Sequence, residues 1–75
     1  MDFEYSMLNL AKRFIIVRRN LKVSQLDLSI KSGVSYGSIK RFERTGEISL
    51  SNLYKICYAL NISDELDRLF IKGVK

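Results

Sequence analysis

Residues 24–44 read SQLDLSIKSGVSYGSIKRFER, a pattern that predicts two short helices joined by a turn. Ser24 is placed as an N-cap, because its hydroxyl can accept a hydrogen bond from the amide three residues further on. A short helix is then predicted from Gln25 to Ser32. Gly33 ends this helix, since glycine takes the left-handed cap conformation without strain. The first half of the stretch therefore predicts a short helix with a defined start and end.

The second half predicts another helix, which begins after the N-cap Ser35 and reaches about Arg44. Ile39 and Phe42 lie three residues apart on this helix, so they point to the same side, toward the first helix. Ser29 is small enough to let the two helices cross closely. Two helices with a small residue at the crossing and a glycine in the turn have the pattern of a helix-turn-helix motif.

The opposite side of the second helix is predicted to face outward from this motif, which spans about residues 25–44. It combines three cations with one aromatic residue and one glycine: Tyr36, Gly37, Lys40, Arg41 and Arg44. Such a surface suits the major groove of DNA, because a glycine lets the backbone approach and the cations can reach bases and phosphates.

A further helix is predicted before the motif, from about Ser6 to Asn20. Met1–Tyr5 either extends this helix or forms a short arm. The apolar residues of the helix recur at helical spacing and are predicted to face the core: Leu10, Ala11, Phe14, Ile15, Val17 and Leu21.

Two more helices are predicted after the motif, one behind the N-cap Ser49 and one behind the N-cap Ser63. No proline interrupts the chain, and apolar residues recur at three and four positions nearly throughout. The chain is therefore predicted to be all-α, as a compact five-helix domain over residues 1–75. Residues 1–6 and 71–75 are assigned as an arm or tail.

The composition argues against several classes of function. The 75 residues are 47% apolar and 28% charged, which is typical of a globular protein rather than a disordered one. There is no histidine, and the single cysteine, Cys57, is predicted to be an inert core residue. Neither a metal nor a cofactor is expected, and an enzyme is the least favoured class. We expect a cytoplasmic protein without a membrane span, because one cysteine cannot form a disulfide framework and no long apolar run occurs.

Positive charge is concentrated in one part of the chain. Between Lys12 and Arg44 there are nine basic and two acidic residues, a net charge of +7, whereas residues 45–75 have a net charge of zero. A basic segment within a folded domain is typical of nucleic-acid binders. By itself it is equally compatible with a solvated basic surface.

Several short stretches carry a resemblance to a known family. They are LAKRF at 10–14, Arg18, VSQ at 23–25, LS at 28–29, GVS at 33–35, Ile39, FE at 42–43, SL at 49–50, Leu53, Ile56 and Leu60. In this order and at these spacings, the chain resembles the lambda-repressor-like (Xre) family of helix-turn-helix domains over about residues 8–66.

The resemblance implies specific roles for individual residues. Gln25 matches a glutamine that contacts phosphate and braces the reading helix, and Arg18 and Glu43 match a structural ion pair. The positions that read base edges in such domains correspond to Ser35, Tyr36, Ser38, Lys40 and Arg41. Arg44 and the helix N-terminus capped by Ser24 match positions that contact the DNA backbone.

The chain departs from the family pattern in three places. Ser29 stands where alanine is usual, and the loop after Glu43 lacks the usual proline and is about one residue shorter. Leu26 and Ile30 occupy positions that are often polar. These two residues either pack against a neighbouring element or form a patch for a protein partner.

The leading functional hypothesis is a sequence-specific DNA-binding regulator, a repressor that binds a palindromic operator in double-stranded DNA as a homodimer. Residues 38–50 are similar to small Xre proteins encoded beside HipA-type kinase toxins, which favours an antitoxin and operon autorepressor with a HipA-like toxin as partner. A stand-alone or phage-type repressor is the alternative. A protein-interaction module that keeps the fold without binding DNA is a second class, and an RNA binder a third, although no platform of several aromatics is evident.

Overall fold

The chain forms five α-helices and a final 3₁₀ turn in the computed structural model, which describes residues 2–74. In chain order the elements are α1 (Phe3–Asn20), α2 (Gln25–Ser32), α3 (Tyr36–Thr45), α4 (Leu50–Ala59), α5 (Ser63–Asp67) and the 3₁₀ turn (Ile71–Gly73). Residues 2–74 contain no strand, so the predicted all-α, five-helix fold is confirmed. Met1 and Lys75, the ends of the predicted arm and tail, lie outside the described residues.

Serine N-caps start the three central helices, as predicted. The hydroxyl oxygens of Ser24, Ser35 and Ser49 accept hydrogen bonds from the amides three residues further on, at 3.0, 3.1 and 3.1 Å. A cap of this kind contributes about 1 kcal/mol to helix stability. Gly33 ends α2 in the left-handed conformation with φ 75°, so both ends of α2 lie where the sequence predicts them.

The first helix begins earlier than predicted. Asp2 is its N-cap and accepts a hydrogen bond from the amide of Glu4 at 2.9 Å, so the helix starts at Phe3 rather than at Ser6. Residues 3–6 are therefore helical and do not form an arm. Of the two alternatives for Met1–Tyr5, extension of the helix is therefore confirmed for residues 3–5.

The predicted cap of the fifth helix is also wrong. Ser63 is the first residue of α5, and the residue before it, Ile62, makes no side-chain cap hydrogen bond. Asn61, at φ 59°, reverses the chain, and the amide of Ile62 donates to the carbonyl oxygen of Cys57 at 2.9 Å. Because Ile62 packs against the core, burial rather than capping sets the start of α5.

The buried face of α1 is rotated relative to the predicted apolar stripe. Ala11 and Phe14 are buried as predicted, but Leu10 and Leu21 are 42% and 47% exposed. Arg18, which is only 6% exposed, completes the inward line. The position of α1 thus follows a buried charge as well as its apolar residues.

The core is formed by side chains of α1, α2, α3 and α4, where α1 packs on α3 and α2 packs on α3 and α4. Its largest fully buried side chains are Leu28, Ile39, Phe42 and Ile56. The ring of Phe42 meets that of Phe14 edge to face, with 5.3 Å between the ring centroids. Edge-to-face contact is a favourable geometry for two aromatic rings and fixes α1 against α3.

Cys57 is buried at 5% exposure, which confirms its predicted place in the core. Burial, and secondarily the negative charge of Glu65, raises the pKa of the Cys57 thiol to about 11. The thiol is therefore protonated at neutral pH and is a poor nucleophile.

Within residues 2–74 no helix is long and apolar enough to cross a bilayer.

Gly46 allows α1 and α3 to approach closely. It follows α3 with φ 84°, and its amide donates to the carbonyl oxygen of Phe42 at 2.7 Å. A Cβ atom at this position would lie 2.6 Å from the carbonyl carbon and 2.7 Å from the carbonyl oxygen of Met7. The α1 backbone therefore occupies the space that any other side chain would need.

Gly46→Ala is expected to destabilise the fold far more than Gly33→Ala. Both glycines have positive φ, and this alone costs about 1–2 kcal/mol for a residue with a Cβ. Only Gly46 also has backbone in the way, which adds about 1–3 kcal/mol, whereas Gly33 has open space. Urea unfolding followed by circular dichroism measures both variants. Equal losses would contradict a contribution from the close approach.

Candidate nucleic-acid interface

The turn between α2 and α3 is closed by hydrogen bonds from two serines. The hydroxyl of Ser29 donates to the carbonyl oxygen of Val34 at 2.7 Å, and the hydroxyl oxygen of Ser32 accepts from the amide of Val34 at 3.1 Å. Val34 itself is buried. The serine at the helix crossing, unusual for the family that the chain resembles, thus holds the turn in addition to being small.

Helix α3 has one buried and one exposed face. Ile39, Phe42 and Glu43 are buried and hold α3 against α1 and α2. The residues predicted to face outward are all exposed: Tyr36, Gly37, Lys40, Arg41 and Arg44. The predicted orientation of this helix is therefore confirmed, while contact of these residues with DNA stays a prediction.

A buried network at Glu43 joins the helices behind this face. The Nε and Nη2 atoms of Arg18 donate to the two carboxylate oxygens of Glu43 at 2.7 and 2.9 Å. Nη1 of Arg18 donates to the carbonyl oxygen of Val23 at 2.9 Å. The side-chain nitrogen Nε2 of Gln25 donates to Oε1 of Glu43 at 2.8 Å, so α1, α2 and α3 meet at one carboxylate. This is the ion pair and the bracing geometry that the resemblance implies.

The hydroxyl groups at the start of α3 are engaged with each other. Ser35 Oγ accepts from the amide of Ser38 and donates to the hydroxyl of Ser38 at 2.7 Å. Ser38 is half-buried, whereas Ser24 and Ser35 are exposed. Ser24 lies at the start of α2, beside the half-buried Gln25. The four polar residues predicted to contact DNA here are thus arranged at the N-terminal ends of the two motif helices.

Tyr36 and Lys40 form a pair on the outer face of α3. The Lys40 ammonium group lies 5.0 Å from the centre of the Tyr36 ring, which is within the range of a cation–π interaction. The two residues are one helical turn apart. This contact orders two side chains that the sequence predicts to contact DNA.

Arg41 has an acidic neighbour that the sequence analysis did not identify. Its Nη2 atom lies 2.7 Å from Oε2 of Glu47, and both side chains are exposed. Six residues separate them, which is not a helical pair spacing, so no signal in the linear pattern points to this contact. The left-handed Gly46 at the end of α3 turns the chain and brings Glu47 back beside Arg41.

An open hollow adjoins this pair on the side of α4. Its lining combines polar and apolar side chains from α1, α3 and the start of α4: Met7, Ser38, Arg41, Glu47, Ile48, Ser49 and Asn52. The hollow places the N-terminus of α4 beside the outer face of α3. The surface available to a ligand therefore extends beyond the residues chosen from the sequence.

Leu26 and Ile30 remain exposed on α2. Their exposures are 56% and 74%, so packing against a neighbouring element, one of the two predicted roles, is wrong. The geometry of α2 explains this, because Leu28 faces the core and turns Leu26 and Ile30 outward.

Within residues 2–74 no group of three or more histidine, cysteine, aspartate or glutamate side chains is placed to hold a metal ion.

The family model of the Cro/C1-type HTH DNA-binding domain matches residues 13–65. The matched residues include α2, α3 and α4 and make up more than half of the chain. No curated protein and no solved structure matches the chain.

Glu43→Gln is expected to lower the free energy of unfolding by about 3–5 kcal/mol, because it leaves the buried Arg18 cation without a counter-charge. Glu47→Gln removes the same charge from an exposed pair and should cost no more than about 1 kcal/mol. Urea unfolding of both variants gives the comparison.

If Glu43→Gln does not fold, the double variant Arg18→Met, Glu43→Leu provides the second measurement. It removes both buried charges and is expected to recover most of the stability. A Glu43→Gln protein as stable as Glu47→Gln would show that the buried pair does not hold the three helices together.

Proposed function

The chain belongs to the family of Cro/C1-type helix-turn-helix DNA-binding domains, and from this we propose that it is a transcriptional repressor that reads the major groove of double-stranded DNA with α3. The observation that carries the proposal is the exposed outer face of α3, where Tyr36, Lys40 and Arg41 project from a helix fixed by the Glu43 network. We place its action in the cytoplasm.

Phosphate contacts supply the affinity in this proposal. The net charge of +7 between Lys12 and Arg44 attracts DNA of any sequence, because bound lysines and arginines release counterions from phosphate. Arg44 and the N-terminus of α2, with Ser24 and Gln25, are proposed to contact the backbone and set the register of α3 in the groove.

Base contacts supply the specificity. Arg41 and Lys40 are proposed to donate to guanine O6 and N7, and each good contact contributes about 1–3 kcal/mol of discrimination. Tyr36, Ser35 and Ser38 lie at the N-terminal end of α3, the end that reaches base edges in helix-turn-helix complexes.

Gly37 supports a close approach of DNA to α3. Glycine is a weaker helix former than alanine, by about 0.5–1 kcal/mol in the middle of a helix and by less in the first turn, where Gly37 lies. The chain itself gives no steric reason for this glycine, since a Cβ at Gly37 would meet no atom within 4 Å. We infer that the space beside Gly37 is taken by the DNA backbone or a base edge in the complex.

A homodimer on a palindromic operator fits the size of the domain, because one reading helix covers one half-site. In such complexes the half-sites lie about 34 Å apart. The residues around the C-terminal 3₁₀ turn support association, since Leu69, Phe70, Ile71 and Val74 are 59–80% exposed. Residues 45–75 have zero net charge, so two copies would not repel each other there.

The favoured subtype is an antitoxin that represses its own operon, with a HipA-like toxin as partner. It rests on the similarity of residues 38–50 to small Xre proteins encoded beside such toxins. The exposed Leu26 and Ile30 are compatible with a protein partner of this kind. A stand-alone or phage-type repressor is the alternative, and the identity of the neighbouring gene separates the two.

The double variant Lys40→Ala, Arg41→Ala is expected to weaken binding to a selected duplex by about 100-fold or more, because two base contacts are lost. The duplex is obtained by selection from a random double-stranded pool with the unmodified protein. The control is Lys55→Ala, Arg68→Ala, which removes the same charge from exposed positions outside the motif.

Gel shifts over a range of salt concentrations measure these affinities, and circular dichroism checks that helical content is unchanged. Equal losses in the two double variants would reject α3 as the reading helix. If the unmodified protein binds no duplex at low salt, the interaction module that keeps the fold without binding DNA is the better explanation.

Gly37→Ala is expected to change stability and DNA binding in opposite directions. Alanine should raise the free energy of unfolding by up to about 0.5 kcal/mol, since it is the better helix former and Gly37 lies in the first turn of α3. Its Cβ should at the same time weaken binding to the selected duplex. Unchanged DNA affinity in Gly37→Ala would exclude a close approach at this position.

A further inference from the structure

Arg41 is held by a carboxylate on the very surface that is proposed to read DNA. Its Nη2 atom donates to Oε2 of Glu47 at 2.7 Å. The Nε and Nη1 atoms make no hydrogen bond within residues 2–74, so part of the guanidinium group remains available to a ligand. Glu47 adds a negative charge to a surface that otherwise attracts phosphate.

The position of Glu47 is fixed by the turn that precedes it. The hydroxyl oxygen of Thr45 accepts from the amide of Glu47 at 3.1 Å, and the same hydroxyl donates to the carbonyl oxygen of Arg41 at 2.8 Å. Gly46, which lies between Thr45 and Glu47 in the chain, packs against the backbone of Met7. The backbone of Glu47 is therefore held at a constant place relative to α3.

The ion pair contributes little to folding. The side chains of Arg41 and Glu47 are 63% and 50% exposed, and solvent screens a pair of this kind. The contact therefore adds little stability. Because an ordered turn holds Glu47, the main effect of the contact is to restrict the conformation of the Arg41 side chain. An unrestrained arginine would contact any phosphate within reach.

We propose that Glu47 is a positioning residue of the DNA-reading surface, which holds Arg41 for base contact and reduces its attraction to phosphate. The inference rests on the proposed function of α3. The pair has no net charge, so it adds little to binding that depends on charge alone. Its free donors still form hydrogen bonds with a base edge of matching geometry. Glu47 thus lowers affinity for DNA in general and raises discrimination between sequences.

Glu47→Gln provides the test, with two DNA probes. One is a duplex selected from a random double-stranded pool by the unmodified protein, and the other is a scrambled duplex of the same length and composition. We expect affinity for the scrambled duplex to rise about fivefold to tenfold at low salt. The plot of log affinity against log salt should become steeper by about one, because one more cation is free to bind phosphate.

The ratio of the two affinities is the measure of specificity. It is expected to fall about fivefold in Glu47→Gln, since affinity for the selected duplex changes less than affinity for the scrambled one. The matched control is Asp67→Asn, which makes the same change of charge at the exposed end of α5. The midpoint temperature of thermal unfolding of both variants should remain close to that of the unmodified protein.

Glu47→Gln in an Arg41→Ala background tests whether Glu47 acts through Arg41. The specificity ratio should then be insensitive to Glu47→Gln, because the side chain being positioned is absent. An equal fall of the ratio in both backgrounds would mean that Glu47 acts on DNA directly, and would overturn the positioning role.

The positioning role of Glu47 and the proposed function can be rejected by different results. If the unmodified protein binds the selected duplex specifically but Glu47→Gln behaves like Asp67→Asn in both slope and ratio, the role of Glu47 is rejected and the function stands. If the unmodified protein binds neither duplex at low salt, the proposed function itself is rejected, and the positioning role with it.

Discussion

One buried carboxylate, that of Glu43, connects α1, α2 and α3 behind the outer face of α3. Arg18 donates two hydrogen bonds to it from α1, and Gln25 donates one from α2. Because Glu43 lies on the inward face of α3, these bonds fix the rotation of α3 about its own axis. Desolvation of the two charges offsets much of their attraction, so we interpret the network as orienting α3 more than stabilising the fold.

Two arginine–glutamate pairs, each with one member on α3, show how burial changes the role of the same chemistry. The Arg18–Glu43 and Arg41–Glu47 pairs have the same shortest distance of 2.7 Å, but the first is buried and the second is largely in water. The buried pair cannot be separated without leaving a charge in the core. The exposed pair contributes little to folding, and the Nε and Nη1 atoms of Arg41 remain available to DNA.

Much of the fold could be predicted because the signals are local. The serine caps of α2, α3 and α4 and the left-handed Gly33 act within a few residues of themselves. The starts of α1 and α5 could not be predicted in this way. At α1 the cap is Asp2, four residues before the predicted start, and at α5 the packing of Ile62 against the core sets the start in place of a cap by Ser63.

Helical periodicity and capping are sufficient to predict the all-α class, the limits of α2 and the outward position of Tyr36, Lys40 and Arg41, because these signals act without distant contacts. The folded structure adds three features: the rotation of α1, the exposure of Leu26 and Ile30, and the pairing of Arg41 with Glu47. Each of these depends on how separate elements approach one another, which the spacing of residues along a single helix does not encode.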